Sequence, residues 1–209
     1  MRIERRLGRR RDLVPAIVAA MVLQPSMMGF AIGVSDADPD RVQKLSEPHL
    51  IGHFELTDQH ARPFKSSDLR GRTSLVFFGF TNCQSVCPPT MVQLGQVARE
   101  LEGEPGRFSN ILISVDGKRD TPEAMARFLK QFSPTIIGLT GDPETVERVA
   151  TDFKAVFFKG MPTDTPGGYD VEHTPQVYLV DRAGRLRATF YSASVDAMAD
   201  ATRAVMRER

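Results

Sequence analysis

The stretch Leu75-Val-Phe-Phe-Gly-Phe-Thr-Asn-Cys83-Gln-Ser-Val-Cys87-Pro-Pro-Thr-Met91 constrains this chain more than any other. Its first half is a run of large apolar residues rich in β-formers, the pattern of a buried strand. The run ends at Thr81-Asn82, polar residues suited to a turn or a helix cap. Pro88 and Pro89 then suit the first turn of a helix, where a missing N–H leaves no bond unmade. The two cysteines of the chain therefore sit where a core strand hands over to a helix. The positive end of a helix dipole favours thiolate, and thiolate is both nucleophile and metal ligand.

The spacing of Cys83 and Cys87 is C-x3-C, one residue longer than the usual redox C-x-x-C. If that turn is helical, residues four apart share a face and both sulfurs point the same way. They would then be within reach of a disulfide or of a shared soft metal ion. The bland alternatives are a pair that only packs, or a permanent disulfide. A bridge closing so short a loop would constrain the unfolded chain little. Two cysteines are also too few for a disulfide scaffold or a four-cysteine zinc site. A net charge of +1 gives no electrostatic case for nucleic acid. With 41% hydrophobic and 25% charged residues, 209 residues suit one globular domain plus appendages.

The N-terminal flank carries Arg2, Arg5, Arg6, Arg9, Arg10 and Arg11 against Glu4 and Asp12, and no charge then appears from Leu13 to Ser35. That length is enough to span a bilayer, and the basic flank would stay cytoplasmic, placing everything after Asp36 on the far side. A cleaved secretory signal competes with a permanent anchor, because the best apolar stretch, Leu13 to Leu23, has signal-peptide length. Both readings of residues 1–35 export the domain. Residues 36–48 are polar and proline-bearing and read as a linker to a domain over 49–209.

Within that domain a short strand is expected over His53–Thr57, with a turn over Asp58–Pro63. His49, His53 and His60 lie close together but without a repeating ligand spacing, and read as surface histidines. A helix follows the central strand from about Pro88 to Leu101, and Ser109–Val115 reads as a second buried strand ending at Asp116. Thr121-Pro122 starts a helix to about Phe132, Ile136–Leu139 forms a strand, and Asp142-Pro143 starts a helix to about Phe153. Lys159 to Glu172, with three glycines and two prolines, reads as a long irregular loop. It leads through His173-Thr-Pro175 into the strand Gln176–Asp181, a hairpin turn at Arg182-Ala-Gly184, the strand Leu186–Tyr191 and an amphipathic helix over Val195–Met206. Strands alternating with helices argue for an α/β fold around a central sheet.

The segment Phe78-Gly-Phe-Thr-Asn-Cys83-Gln-Ser-Val-Cys87-Pro resembles the signature of the Sco/SenC family of copper chaperones. Asp116-Gly-Lys-Arg-Asp120-Thr-Pro, Ile137-Gly-Leu-Thr-Gly141 and Asp170-Val-Glu-His173-Thr resemble later motifs of that family, in order, over Ile51 to Tyr191. The resemblance implies a thioredoxin-like fold and a membrane-tethered domain on the periplasmic face of the inner membrane. It implies delivery of copper to the CuA-bearing subunit of cytochrome c oxidase, with a further periplasmic copper chaperone as a candidate partner. It also implies that Cys83, Cys87 and His173 are the copper ligands.

Residue chemistry is compatible with this. Two thiolates and an imidazole suit Cu(I), and tolerate Cu(II). Asp116, at a strand end, is a candidate for supporting the ligands from behind, or else a turn former, and Asp120 a candidate cap for the next helix. The chain departs from the family pattern at Asn82, at Gln84-Ser85 and at Gly117, which stands where proline is frequent. Thr174-Pro175 before a late strand resembles thioredoxin-like oxidoreductases, whose proline faces the active cysteines. This motivates an alternative function, a thiol–disulfide oxidoreductase in which Cys83 attacks and Cys87 resolves. A faint resemblance to peroxiredoxins fails at Gln84, where those proteins carry threonine.

Overall fold

The computed structural model describes residues 41–104, 107–162 and 169–208. The expected anchor or signal over 1–35 and the first residues of the expected linker lie outside them. Among the described residues, no helix is long and apolar enough to cross a membrane.

The apolar run forms the strand β4 (Arg72–Gly79), whose residues from Thr73 onward are all buried. It is preceded by β1 (Arg41–Leu50), β2 (Glu55–Asp58) and β3 (Pro63–Lys65). After it come the helix α1 (Cys87–Glu100), β5 (Arg107–Ser114), α2 (Pro122–Leu129), β6 (Ile136–Thr140) and α3 (Pro143–Phe153). The hairpin β7 (Phe157–Pro162) and β8 (Tyr169–His173) follows, then β9 (Gln176–Val180), β10 (Arg185–Tyr191) and α4 (Val195–Arg207).

Eight strands make one mixed sheet in the order β1-β10-β9-β4-β5-β6-β2-β3. β4 sits near its middle, parallel to β5 and antiparallel to β9, so its near-continuous hydrophobicity follows from burial on both faces. Alternation along β4 divides the core. Phe78 packs its ring edge-on against Phe153 of α3 and Tyr178 of β9. Phe77 and Gly79 face the opposite side, toward Cys87 at the start of α1. On that same side Gly138, across β5 from Phe77, lies under Met125 and Leu129 of α2, and α4 packs on α1.

Helix starts follow local chemistry. Thr121 accepts from the N–H of Ala124, Asp142 from that of Thr145 and Ser194 from that of Ala197, each as a side-chain cap. Asp181, buried at the β9–β10 turn, accepts from the N–H groups of Ala183 and Arg185 and from the Arg185 and Arg187 side chains.

Two expectations need correction. From Arg41 on, the stretch read as a linker over 36–48 is an edge strand, pairing antiparallel with β10 from Arg41 opposite Tyr191 to Leu50 opposite Arg185. Its polarity and Pro48 misled because an outermost strand tolerates both, while Val42 and Leu45 alone reach the core. The described residues of the stretch 159–172 are also not irregular. Its two ends are strands of a hairpin that pair with each other, outside the main sheet, with Phe157 opposite His173 and Lys159 opposite Val171.

Candidate metal centre

β4 delivers the chain to Thr81-Asn82, which form a turn, and the segment between the two cysteines is bent rather than helical. The helix begins at Cys87 itself, with Pro88 and Pro89 in its first turn. Its opening N–H groups are accounted for unusually. The Cys87 N–H donates to Cys83 Sγ at 3.4 Å, Pro88 and Pro89 have none to place, and that of Thr90 returns to the Val86 carbonyl. A sulfur thus takes the place of a capping oxygen, and Cys83 is drawn onto the positive end of α1.

The third residue arrives from the hairpin. His173 Nε2 lies 3.7 Å from Cys87 Sγ, and the three donor atoms of Cys83, Cys87 and His173 all lie within 4.8 Å of one another. Nδ1 of His173 faces the Thr174 carbonyl at 3.4 Å, a contact through which Nδ1 can keep a proton when Nε2 binds a metal ion. Phe77 and Phe80 meet the imidazole edge-on, at 5.6 and 5.9 Å between ring centres. Metal bonds to nitrogen and sulfur of about 2.0–2.3 Å span donor pairs separated by up to about 4.5 Å, so these atoms need little rearrangement to share one ion.

The two sulfurs are unequal. Cys83 is 8% exposed and Cys87 wholly buried. The hydrogen bond from the Cys87 thiol is the main cause that lowers the Cys83 pKa to about 3, against the effect of burial, with His173 and the N–H groups of Cys87 and Ser85 adding to it. The same hydrogen bond pushes Cys87 up, and burial and the charges of Cys83 and Asp120 push it further. Of the two, Cys83 is the one favoured as thiolate and Cys87 the one favoured as thiol.

Asp116 does not support these ligands directly. Its buried carboxylate is taken up by the Arg119 guanidinium and by the Tyr169 hydroxyl, which donates at 2.6 Å. Asp120 is likewise not the cap of α2, a role Thr121 fills. Fully buried, it accepts from the N–H and hydroxyl of Thr81 and from the hydroxyl of Ser114, and so ties the cysteine loop to the end of β5. Between them, a side chain on Gly117 would collide with the Gly141 carbonyl, which explains why this chain has glycine there. His49, His53 and His60 are exposed and stand apart from the ligand group. Pro175 lines a cleft of about 800 Å³ together with Ser85 and Val86 of the cysteine loop.

Sequence reasoning missed Thr81, Arg119 and Tyr169. The strand-like alternation Tyr169, Val171, His173 was the available signal for the last of these.

The family described as SCO1/SenC matches residues 42–207. This chain belongs to the SCO1/SenC family. The match extends the expected Ile51–Tyr191 to include β1 and α4. An SCO2-like protein of Rickettsia conorii is 35% identical over 140 residues, which are 67% of this chain and 68% of that protein. The structure of Bradyrhizobium japonicum ScoI with copper bound superposes with a TM-score of 0.68 at 34% identity, covering 75% of this chain and 99% of that one. Yeast Sco1 with copper bound superposes with a TM-score of 0.70 at 29% identity, covering 78% and 91%. The SCO1/SenC chain therefore has the thioredoxin-like fold, a central sheet flanked by helices.

Proposed function

We propose that this SCO1/SenC protein is a copper chaperone that binds one copper ion through Cys83 Sγ, Cys87 Sγ and His173 Nε2. One observation carries the reading: two sulfurs and an imidazole nitrogen, drawn from chain positions 86 residues apart, converge within 4.8 Å. Two thiolates and an imidazole between phenylalanine rings suit soft Cu(I), and the set also accommodates Cu(II). Loading releases the proton held on Cys87, and the start of α1 offsets part of the negative charge of a dithiolate Cu(I) site. Copper-bound structures of relatives at 34% and 29% identity support the choice of metal.

Delivery to the CuA-bearing subunit of cytochrome c oxidase is the destination we assign. Another periplasmic copper chaperone would be a supplier, with the domain tethered to the inner membrane by residues 1–35. A solved relative at 20% identity is described as a member of the Sco family of cytochrome c oxidase assembly proteins. The test of the site is copper stoichiometry on the reduced protein, wild type beside His173→Ala. One tightly held copper per chain, greatly weakened in the variant, is expected; no tight copper in the reduced wild type sinks the reading.

The thiol–disulfide oxidoreductase remains a second reading, favoured by the unequal sulfurs. The Cys83 thiolate would attack a partner disulfide and expel one partner thiolate. Cys87, deprotonated, would then displace the second partner thiolate from the mixed disulfide. The partner gains two electrons and the Cys83–Cys87 pair becomes a disulfide. Exchange needs no imidazole, so His173→Ala keeps reductase activity under this reading while losing copper.

A further inference from the structure

The turn 116–120 after β5 holds both supports of the candidate site. Asp120 grips the cysteine loop through Thr81. Asp116 and Arg119 grip the histidine hairpin through Tyr169. The second grip has no part in the ligand set, yet it bonds β8 through both the side chain and the backbone of Tyr169. The Tyr169 hydroxyl donates to Asp116 at 2.6 Å, Arg119 Nη1 donates to the Tyr169 carbonyl at 2.9 Å, and Arg119 also pairs with Asp116. The Arg119 guanidinium lies 3.9 Å from the Tyr169 ring centre, and the Lys159 ammonium of β7 lies 3.8 Å from it.

Tyr169, Val171 and His173 lie on one face of β8 because side chains alternate along a strand. Val171 is buried on that face. The imidazole itself is held by long contacts, 3.7 Å to Cys87 Sγ and 3.4 Å to the Thr174 carbonyl, and by two ring contacts. Its place is therefore set by the strand that carries it. At the His173 end the strand is closed by Thr174, which bonds the Val156 backbone three times at 2.9 Å. At the other end, four residues and about 13 Å away, the Tyr169 grip is what ties β8 to the turn after β5 among the described residues.

We propose that Tyr169, clamped by Asp116 and Arg119, is a positioning residue that holds His173 over the cysteine pair and so sets how firmly the third ligand engages. This rests on the ligand assignment above. Releasing the clamp loosens the imidazole while leaving Cys83 and Cys87 seated, which is a route for handing a metal ion over in steps.

The test has two arms. In the first, Cu(I) affinity of the reduced full chain is measured by chelator competition for wild type, Tyr169→Phe, His173→Ala and the double variant. Tyr169→Phe is expected to weaken binding about tenfold, the scale of lost outer-sphere support. It should have no further effect in the His173→Ala background, as full coupling requires. Equal weakening in both backgrounds would mean that Tyr169 acts on the fold at large and overturns the proposal. Arg119→Gln, which removes the cation from the ring, the carbonyl and Asp116, is the second variant; no effect from either variant also overturns it.

The second arm needs no metal. Diethyl pyrocarbonate modification of each histidine is followed by peptide mass spectrometry, with the exposed His49, His53 and His60 as internal controls. Tyr169→Phe should speed His173 modification about tenfold and leave the other three unchanged. An unchanged His173 rate overturns the clamp. Unaltered copper affinity in His173→Ala, beside a faster His173 rate in Tyr169→Phe, would instead remove the ligand assignment and leave the clamp standing.

Discussion

The cysteine loop and the histidine hairpin reach the same point on supports of different kinds. Cys87 is fully buried at the end of a core strand, seated on a glycine, and its loop is tied down by the buried Asp120. His173 stands on a two-stranded sheet outside the main one, in which Phe158 and Met161, and Val156 just before it, are exposed. Where strands are buried on both faces, packing leaves a side chain one position. Where a hairpin buries little beyond Val171, position depends more on a few polar bonds near its ends, each worth about 1 kcal/mol net. The copper chaperone proposed above would be served by this division, with two ligands that stay and one that lets go.

The strongest way to break the contrast is on the rigid side. Asp120→Ala removes the acceptor for three hydrogen bonds and leaves the N–H of Thr81 without its partner, so a loss of roughly 3 kcal/mol in unfolding free energy is expected. Chemical denaturation measures it, and a loss below 1 kcal/mol would show that the loop is not anchored there. Next comes Gly79→Ala. The new methyl would lie 2.8 Å from Cys87 Sγ and from a Phe77 ring carbon, displacing one or both. Expected costs are about 2 kcal/mol of stability and a marked drop in copper affinity, read by thermal unfolding and chelator competition. Unchanged affinity would mean that the rigid floor under Cys87 is dispensable.

A third prediction sharpens the inequality of the sulfurs. An ordinary thiol, with a pKa of about 8.5, becomes about ten times more reactive per pH unit as pH rises toward that value. Cys83, lowered to about 3, is already thiolate at pH 5. Its alkylation by iodoacetamide should therefore stay nearly flat from pH 5 to 8, with Cys87 unlabelled. A tenfold rise per unit would remove the case for Cys83 as an acidified nucleophile. The smallest effect belongs to the exposed side of the hairpin. Phe158→Ser should change stability by less than about 0.5 kcal/mol, since little packing is lost there. A larger loss, seen in thermal unfolding, would show that the hairpin is more tightly built than its exposure implies.

Much of the fold was legible because its signals are local. The buried run of β4, the Thr121-Pro122 and Asp142-Pro143 helix starts and the Asp181–Gly184 turn each depend on residues within a few positions of one another. Asp120 was misread for the same reason. Standing next to a capping threonine, it looks like part of a helix start, whereas its partners Thr81 and Ser114 lie on other elements. β1 was missed because nothing in Arg41–Leu50 signals a strand until β10 offers its open edge. Gly160, Pro162, Gly167 and Gly168 concealed the hairpin, since its pairing runs between β7 and β8 rather than along either strand.

Sequence alone therefore specified the strand-to-helix junction that carries Cys83 and Cys87, and marked His173 as their companion through family resemblance. Folding in three dimensions brought His173 to 3.7 Å from Cys87, turned Asp116 and Arg119 toward Tyr169, and set the Cys83 sulfur on the first N–H of α1. The reason is physical. Strand and cap propensities act over a few residues, whereas the distance between a thiol and an imidazole 86 positions apart is set by sheet order, hairpin pairing and the packing that holds them.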